Sequence, residues 1–235
     1  MTTTQHDRLA AALTHADSSA RLQTALTAGT YPDPAQVPVL VARCAVEPDF
    51  PVRDMLTWAI TRHAARTTLP LLLAELGSPT AQARSQALHT LSKLGEPATW
   101  AAITPALLHD AEAEVARAAW RAAVVLVPAA EERMLVAELV RELGRGDLEV
   151  QRSLSRALVE LGDAAVPALA TASTVADERV RAHATATEAL LRDPDSGFAG
   201  HLEEAKRAVI RRDAPVLASA NEAGAARPQP AAGED

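Results

Sequence analysis

The feature that most constrains this chain is a sequence unit that recurs every 30 to 35 residues. The clearest copy runs from Ser78 to Gly95. Within it, small or apolar residues recur at steps of three and four, at Ala83, Ala87, Leu91 and Leu94. This spacing places them on one face of a helix, and a glycine after the last apolar residue is a common helix end. The stretch is therefore predicted to be one amphipathic helix.

Two columns of equivalent residues indicate that this helix occurs six times. With Arg84 as the reference, the equivalent residues are Arg21, Arg53, Ala116, Gln151 and Arg181. Four residues before each reference position stand Asp17, Asp49, Thr80, Glu112, Asp147 and Asp177. A side-chain oxygen at such a position accepts hydrogen bonds from the free amides of the first turn, and a carboxylate suits the positive end of the helix dipole. Six helices are predicted to start there.

The segments between these copies are also predicted to be helical. They cover residues 34–45, 67–76, 96–109, 131–143 and 164–173, and three of them carry proline near the predicted helix start. Proline is well tolerated in the first turn of a helix. No segment alternates as a strand would. The repeating unit is therefore a helical hairpin of about 30 residues, and the fold class is all-α with about six hairpins.

Two stretches of the sixth unit resemble HEAT repeats, namely Leu161–Leu169 and Asp177–Arg181. More narrowly, they resemble the alanine-rich bacterial type called PBS-lyase HEAT-like. The chain is also similar, over roughly Leu9 to Arg212, to stand-alone actinobacterial HEAT-repeat proteins, which are mostly uncharacterised. The resemblance implies a right-handed α-solenoid whose second helices line a concave face. It implies no single function.

Composition and the ends of the chain complete the predicted organisation. Residues 1–212 are predicted to form the solenoid, ending in an amphipathic helix from Gly200 to Arg212, and residues 213–235 an Ala/Pro/Gly-rich disordered tail. The N-terminus carries no signal pattern, and the longest uncharged apolar run is far too short to span a bilayer. We therefore expect a cytoplasmic protein that does not enter membranes. Cys44 is the one cysteine, so a disulfide framework is excluded.

Enzymatic interpretations find little support in the residue pattern. The iron-binding hydroxylases among HEAT-repeat proteins pair His with Glu, whereas no His here is followed by Glu. Three serines, Ser85, Ser153 and Ser155, have no obvious His and Asp partners, and Cys44 is expected to be a small core residue. We therefore expect no metal, no cofactor and no catalysis.

The outward row of the second helices holds the candidate binding residues. If the core side is set by positions −1, 3, 6, 7 and 10 from the reference, positions 1, 4, 5, 8 and 9 face away. On these positions, basic and aromatic side chains gather in the middle units: Trp58, Arg62, His89, Lys93, Arg117, Trp120, Arg121, Arg152 and Arg156. An alternative is a solvated face, with arginines paired to Glu114, Glu149 and Glu160.

The arginines of the reference column receive a structural interpretation instead. In similar solenoids such arginines bond to the aspartate of the cap column in the same or a neighbouring unit. The predicted structural ladder therefore comprises Asp17, Arg21, Asp49, Arg53, Arg84, Asp177 and Arg181.

The function predicted from these features is a non-enzymatic scaffold whose cationic and aromatic concave face binds an acidic peptide or protein. One alternative is a ligand-sensing or regulatory module that works with a transcription factor. Another is a DNA-binding, alkylpurine-glycosylase-like protein, to which Asp54 and Trp58 bear a weak likeness. The net charge of −7 disfavours nucleic acid as the partner, because nucleic-acid binding draws on positive charge. The oligomeric state is left open.

Overall fold

The computed structural model describes residues 5–194 and 197–213. The predicted tail lies outside these residues except for Asp213. Over the described ranges the secondary structure is helical, without a strand. Thirteen α-helices are present there: α1 Gln5–Leu13, α2 Ser18–Thr30, α3 Val37–Cys44, α4 Phe50–Thr61, α5 Ala65–Glu75, α6 Ala81–Leu94, α7 Pro105–Leu108, α8 Ala113–Leu126, α9 Glu132–Leu139, α10 Leu148–Glu160, α11 Val166–Ala172, α12 Glu178–Arg192 and α13 Phe198–Asp213.

The six even-numbered helices from α2 to α12 are the predicted second helices, and each starts directly after its cap-column residue. Four of the caps are closed by the side chain, since the carboxylates of Asp17, Asp49, Asp147 and Asp177 accept from amides of the first turn. Thr80 and Glu112 have extended backbone but no such bond. The predicted helix starts are confirmed.

The first helices of the hairpins are shorter, and one departs from the prediction. The segment 96–109, expected to be one helix, is a 3-10 turn over Pro97–Ala102 followed by the four-residue helix α7. Thr104 between them is extended, with φ −83° and ψ 158°. A residue before proline is pushed out of the helical region, so Pro105 ends one helix and starts the next.

Trp120 is the largest side chain in the core, and its predicted place on the outward row is wrong. It is 0% exposed, and its indole Nε1 donates to the carbonyl oxygen of Leu108 at 2.9 Å. The reason is its position, four residues after the reference, which faces the neighbouring helices. The equivalent residues Ala25, Thr57 and Leu88 are buried as well.

The arginine ladder exists, but with partners other than those predicted. Arg84 donates to the carbonyls of Ser78 and Pro79, just before its own helix, and to the carboxylate of Asp110 in the next unit. The cap aspartates Asp17, Asp49 and Asp177 instead accept hydrogen bonds from backbone amides in the first turns of their own helices. Arg84 therefore bonds both to the loop before its own helix and to the following unit.

Arg21, Arg53 and Arg181 repeat the first half of this arrangement. Their guanidiniums donate to the two carbonyls five and six residues earlier. Arg21 also bonds to Glu47 in the next unit.

In the fourth unit, which has no arginine at the reference position, an arginine of the next unit donates to the corresponding carbonyls. Ala116 occupies the reference position of the fourth unit, and the two carbonyls before that helix, of Asp110 and Ala111, accept from Arg145 of the fifth unit instead. Arg145 also pairs with Glu142 at 2.6 Å. The fourth and fifth units are therefore still connected, but the donating arginine belongs to the fifth unit instead of the fourth.

The last helix covers the end of the stack. Phe198, Leu202, Ala205 and Val209 of α13 form a buried cluster with Ala182, Ala186 and Leu190 of α12. These three α12 residues stand 1, 5 and 9 residues after the reference residue Arg181, at positions that belong to the predicted outward row. The predicted terminal helix is thus present, and it closes the outward row of the sixth unit.

Candidate binding groove

Five of the predicted site residues line one cavity of about 430 Å³ between α6, α8 and α10. We call this cavity the arginine groove. Its cationic residues are Lys93, Arg117, Arg121, Arg152 and Arg156. Two carboxylates, Glu149 and Glu160, and two apolar side chains, Val124 and Val125, also contribute to its walls. Val125 is 55% exposed, so the groove offers apolar surface beside its charges.

The arginines of the groove fall into a paired and an unpaired set. Arg117 bonds to Glu114 at 3.0 Å, and Arg152 to Glu149 at 3.1 Å, each at a spacing of three residues along its helix. Arg121 and Arg156, one turn further on, make no ion pair with any described carboxylate. Of the ion pairs suggested for a solvated face, those of Arg117 and Arg152 are present, whereas Arg156 makes none with Glu160 in the described chain.

The charge around Arg121 is poorly compensated. Burial and the neighbouring Arg117 lower the pKa of its guanidinium, while Glu114 acts in the opposite direction. Burial also lowers the pKa of His89, assisted by Arg121 and Lys93 and opposed by Asp54. Both shifts have the sign expected where positive charges crowd together. An anion bound here would relieve that repulsion.

The remaining predicted residues lie at the edge of this arrangement. Trp58 is 38% exposed on α4, and the guanidinium carbon of Arg62 lies 6.0 Å from the centre of its ring. The ring rests against α2, where a Cβ added to Gly29 would stand 2.3 Å from Trp58 Cζ3. This pair does not line the arginine groove.

Two further cavities occur where α13 meets the stack. One of about 370 Å³ lies beside the first turns of α10 and α12, and one of about 460 Å³ lies between α10 and the start of α13. Arg152 and Arg156 line the second as well as the arginine groove. Arg156 therefore stands where the groove meets the terminal helix.

One side-chain network was missed by the sequence analysis. Ser155 does have a histidine partner: its hydroxyl lies 2.9 Å from Nε2 of His183, and 2.7 Å from the hydroxyl of Thr187. All three residues are 0% exposed. A nucleophile must reach its substrate, so this Ser-His contact is a structural one. The separation of 28 residues gave no local signal for it.

Cys44 and Glu47 are also buried, with exposed fractions of 3% and 0%, respectively. Burial raises the pKa of the Cys44 thiol to about 11, opposed by a hydrogen bond to Thr57. A thiol with such a pKa is protonated at neutral pH and weakly nucleophilic. The predicted core placement of Cys44 is confirmed, whereas Glu47 was not singled out by the sequence analysis.

The described residues contain no candidate metal site and no candidate membrane-spanning helix. Among them no three His, Cys, Asp or Glu side chains are placed to hold a metal ion. Nor does any helix in the described ranges combine the length and the apolar character needed to cross a membrane.

Comparisons with known proteins return similarity at the level of structure. No protein-family model matches the chain, and no curated protein does. A chain in the solved complex of CpcE and CpcF of phycocyanin lyase from Nostoc sp. PCC7120 is 18% identical, with 89% of this chain and 96% of that chain covered and a TM-score of 0.36. Human deoxyhypusine hydroxylase in complex with glycerol is 15% identical, with 88% and 95% covered and a TM-score of 0.43.

The class of the protein follows from its own helices. Six successive hairpins, each with an extended residue directly before its second helix, stack so that every unit contacts its neighbours. The protein is an all-α solenoid built from repeated helical hairpins.

Proposed function

We propose that the protein is a non-enzymatic binding scaffold and that the arginine groove holds an acidic peptide or an acidic segment of a protein. The observation that carries this proposal is that Arg121 and Arg156 are exposed and unpaired among the described residues, at equivalent positions of adjacent helices. A glutamate three residues earlier on the same helix pairs each neighbouring arginine, Arg117 and Arg152. These pairs hold two guanidiniums on the walls and leave the other two available.

The energetics favour a carboxylate as the ligand. A guanidinium bonds a carboxylate through two parallel N–H donors, which makes these contacts stronger and more directional than those of an ammonium group. The bound anion would also offset the repulsion between Arg117 and Arg121. Val125, exposed beside the cations, adds apolar area for a neighbouring side chain of the ligand.

The test is the binding of a fluorescently labelled polyglutamate peptide, followed by anisotropy. We expect binding to weaken strongly between about 50 and 200 mM salt, because exposed charges are screened over this range. The double variant Arg121→Glu, Arg156→Glu is expected to lose binding while keeping the far-UV circular dichroism of a helical protein.

A matched control separates local from overall charge. Arg66 and Arg133 are exposed arginines on the first helices α5 and α9, with no ion pair in the described chain. The double variant Arg66→Glu, Arg133→Glu changes the net charge equally and should retain binding. Equal loss in both variants would reject the arginine groove as the site. Preference for duplex DNA over the peptide in the same assay would replace the proposal with the nucleic-acid alternative.

A further inference from the structure

We infer that the arginine groove selects acidic residues at every third position of a segment in the polyproline II conformation. This inference rests on the proposed function and adds the spacing and conformation of the ligand. It follows from three structural observations: the repeat of the unpaired arginines, the cations of the preceding unit, and the helix that closes the following one.

The unpaired arginines repeat with the solenoid. Arg121 and Arg156 each stand five residues after the reference position of their units, on α8 and α10, and line the same cavity. Packed helices lie about 8–10 Å apart. Residues at equivalent positions on two parallel neighbours are displaced by the same distance, so two carboxylates that bind both guanidiniums directly should be spaced by about 8–10 Å.

Of the regular backbone conformations that lie flat along a groove, polyproline II matches this spacing best. It has three residues per turn and rises about 3.1 Å per residue, so residues i and i+3 share a face about 9.3 Å apart. In a β-strand, residues on one face are about 6.6 Å apart at i+2 and about 13 Å apart at i+4. A strand would therefore bring one carboxylate onto an arginine and miss the next.

The preceding unit extends the series by one step. His89 stands at the same position on α6, and Lys93, which lines the groove, follows it by one turn. A third acidic residue, at i+6, would meet the ammonium group of Lys93, which is the cation of this unit. The apolar surface of Val124 and Val125 lies between the charged positions and can contact the intervening residues.

The following unit ends the series. The equivalent residue on α12 is Ala186, which is 1% exposed and covered by α13. On the other side, the equivalent residue on α4 is Trp58, and Arg62 one turn later lies over the Trp58 ring, outside the lining of the groove. The cationic series therefore comprises three units, and the selected pattern is three acidic residues at i, i+3 and i+6.

The test compares three labelled peptides of equal length and composition, each with three glutamates among alanines and prolines. The glutamates stand at every third position, at every second position, or in one block. We expect the first peptide to bind about tenfold more tightly than the other two, because it alone places every carboxylate on a cation. Equal affinities for all three would overturn the spacing inference and leave the proposed function standing. Absence of binding by all three would overturn both.

A variant distinguishes register from total charge. Arg156→Gln removes the cation at one end of the series and should reduce the preference for the every-third peptide to about twofold, while Arg133→Gln should leave it intact. Circular dichroism of both variants verifies folding. An unchanged peptide preference in Arg156→Gln would show that Arg156 does not take part in selecting the spacing, and would overturn the inference.

Discussion

Arg21 holds the buried carboxylate of Glu47 in a bidentate contact, from Nε to Oε2 at 2.9 Å and from Nη2 to Oε1 at 2.7 Å. Arg43 and the backbone amide of Asp49 donate to the same carboxylate. The main-chain carbonyl of Glu47 in turn accepts from Arg53, and from Gln82 of the third unit. A single loop residue therefore connects the first three units of the solenoid.

Glu47→Gln is expected to lower the free energy of unfolding by about 3–5 kcal/mol, because Arg21 would remain buried without its counter-charge. Urea unfolding at neutral pH measures this loss. Glu204→Gln, an exposed glutamate on α13, should change the stability by less than about 0.5 kcal/mol. Similar small losses in both variants would mean that Glu47 does not connect the units energetically.

Glu47 also predicts an acid dependence. Burial acts to raise its pKa, but the hydrogen bonds from Arg21, the Asp49 amide and Arg43 outweigh burial and lower the pKa to about 2. A folded-state pKa below the unfolded value of 4.5 contributes stability above pH 4.5, which is lost as the pH falls toward 2. This part of the acid dependence should be absent from Glu47→Gln.

Gly29→Ala should destabilise the contact between α2 and α4. The new Cβ would stand 2.3 Å from Trp58 Cζ3 and 2.9 Å from the Cα of Ala59. Alanine favours a helix over glycine by about 1 kcal/mol, so a net loss of about 1–3 kcal/mol in chemical unfolding would report the clash. Trp58→Ala in the same chain should recover part of the loss, since the indole is the nearest obstacle. Strictly additive effects of the two substitutions would contradict this contact.

The arrangement of the second helices was predictable from sequence because its signals are local. Capping side chains, apolar residues at steps of three and four, and a constant period all lie within one unit, and they gave the six helix starts correctly. Contacts between units were harder to predict from the sequence. The partner of Arg21 is Glu47, 26 residues away in the loop before the next cap, and the equivalent residue Asp110 accepts from Arg84 at the same separation, but the remaining equivalent positions hold His15, Ser78, Arg145 and Val175 and carry no carboxylate. No pattern in one unit could indicate it.

The placement of Trp120 could have been predicted, since its column contains the signal. Four residues after the reference, the first five units carry Ala25, Thr57, Leu88, Trp120 and Ser155, without a charge among them. A column that faced solvent would include charged residues, as the one after it does with Arg121 and Arg156. A large apolar side chain in such an uncharged column is more often buried than exposed.

His109 predicts that stability falls as the pH rises above the unfolded pKa of 6.5. Its ring lies between two carboxylates, with Nε2 at 2.7 Å from Glu138 and Nδ1 at 2.6 Å from Glu142. Burial acts to lower the pKa of His109, but these bonds outweigh burial and raise it. The contribution is therefore complete below the unfolded pKa of 6.5 and is lost as the pH rises through the folded value. Thermal unfolding midpoints should fall as the pH is raised from about 6.5, and less so in His109→Gln. The same decrease in both proteins would exclude His109 as its origin.

His183 predicts the opposite dependence, in mildly acidic solution. Its Nδ1 accepts from the amide of Gly144 at 3.0 Å, so the ring proton is on Nε2, which faces the Ser155 hydroxyl. A second proton on Nδ1 would point at an N–H donor. Burial lowers the pKa of His183 to about 4, although the hydrogen bond to the Gln151 carbonyl opposes this change. The neutral ring is therefore the form that the folded protein requires.

The consequence for stability follows from the two pKa values of His183. Because the folded value of about 4 lies below the unfolded value of 6.5, the free energy of unfolding is fully retained above pH 6.5 and decreases by about 3 kcal/mol as the pH falls to 4. Urea unfolding at pH values between about 6.5 and 5 avoids the titration of Glu47, and comparison with His183→Gln separates this effect from that of His89, whose pKa is also lowered. His183→Gln should be less stable at neutral pH but show a flatter dependence across this interval, whereas His6→Gln, at an exposed histidine of α1, should keep the slope of the original protein. An equally steep slope in His183→Gln would mean that another group accounts for the loss of stability.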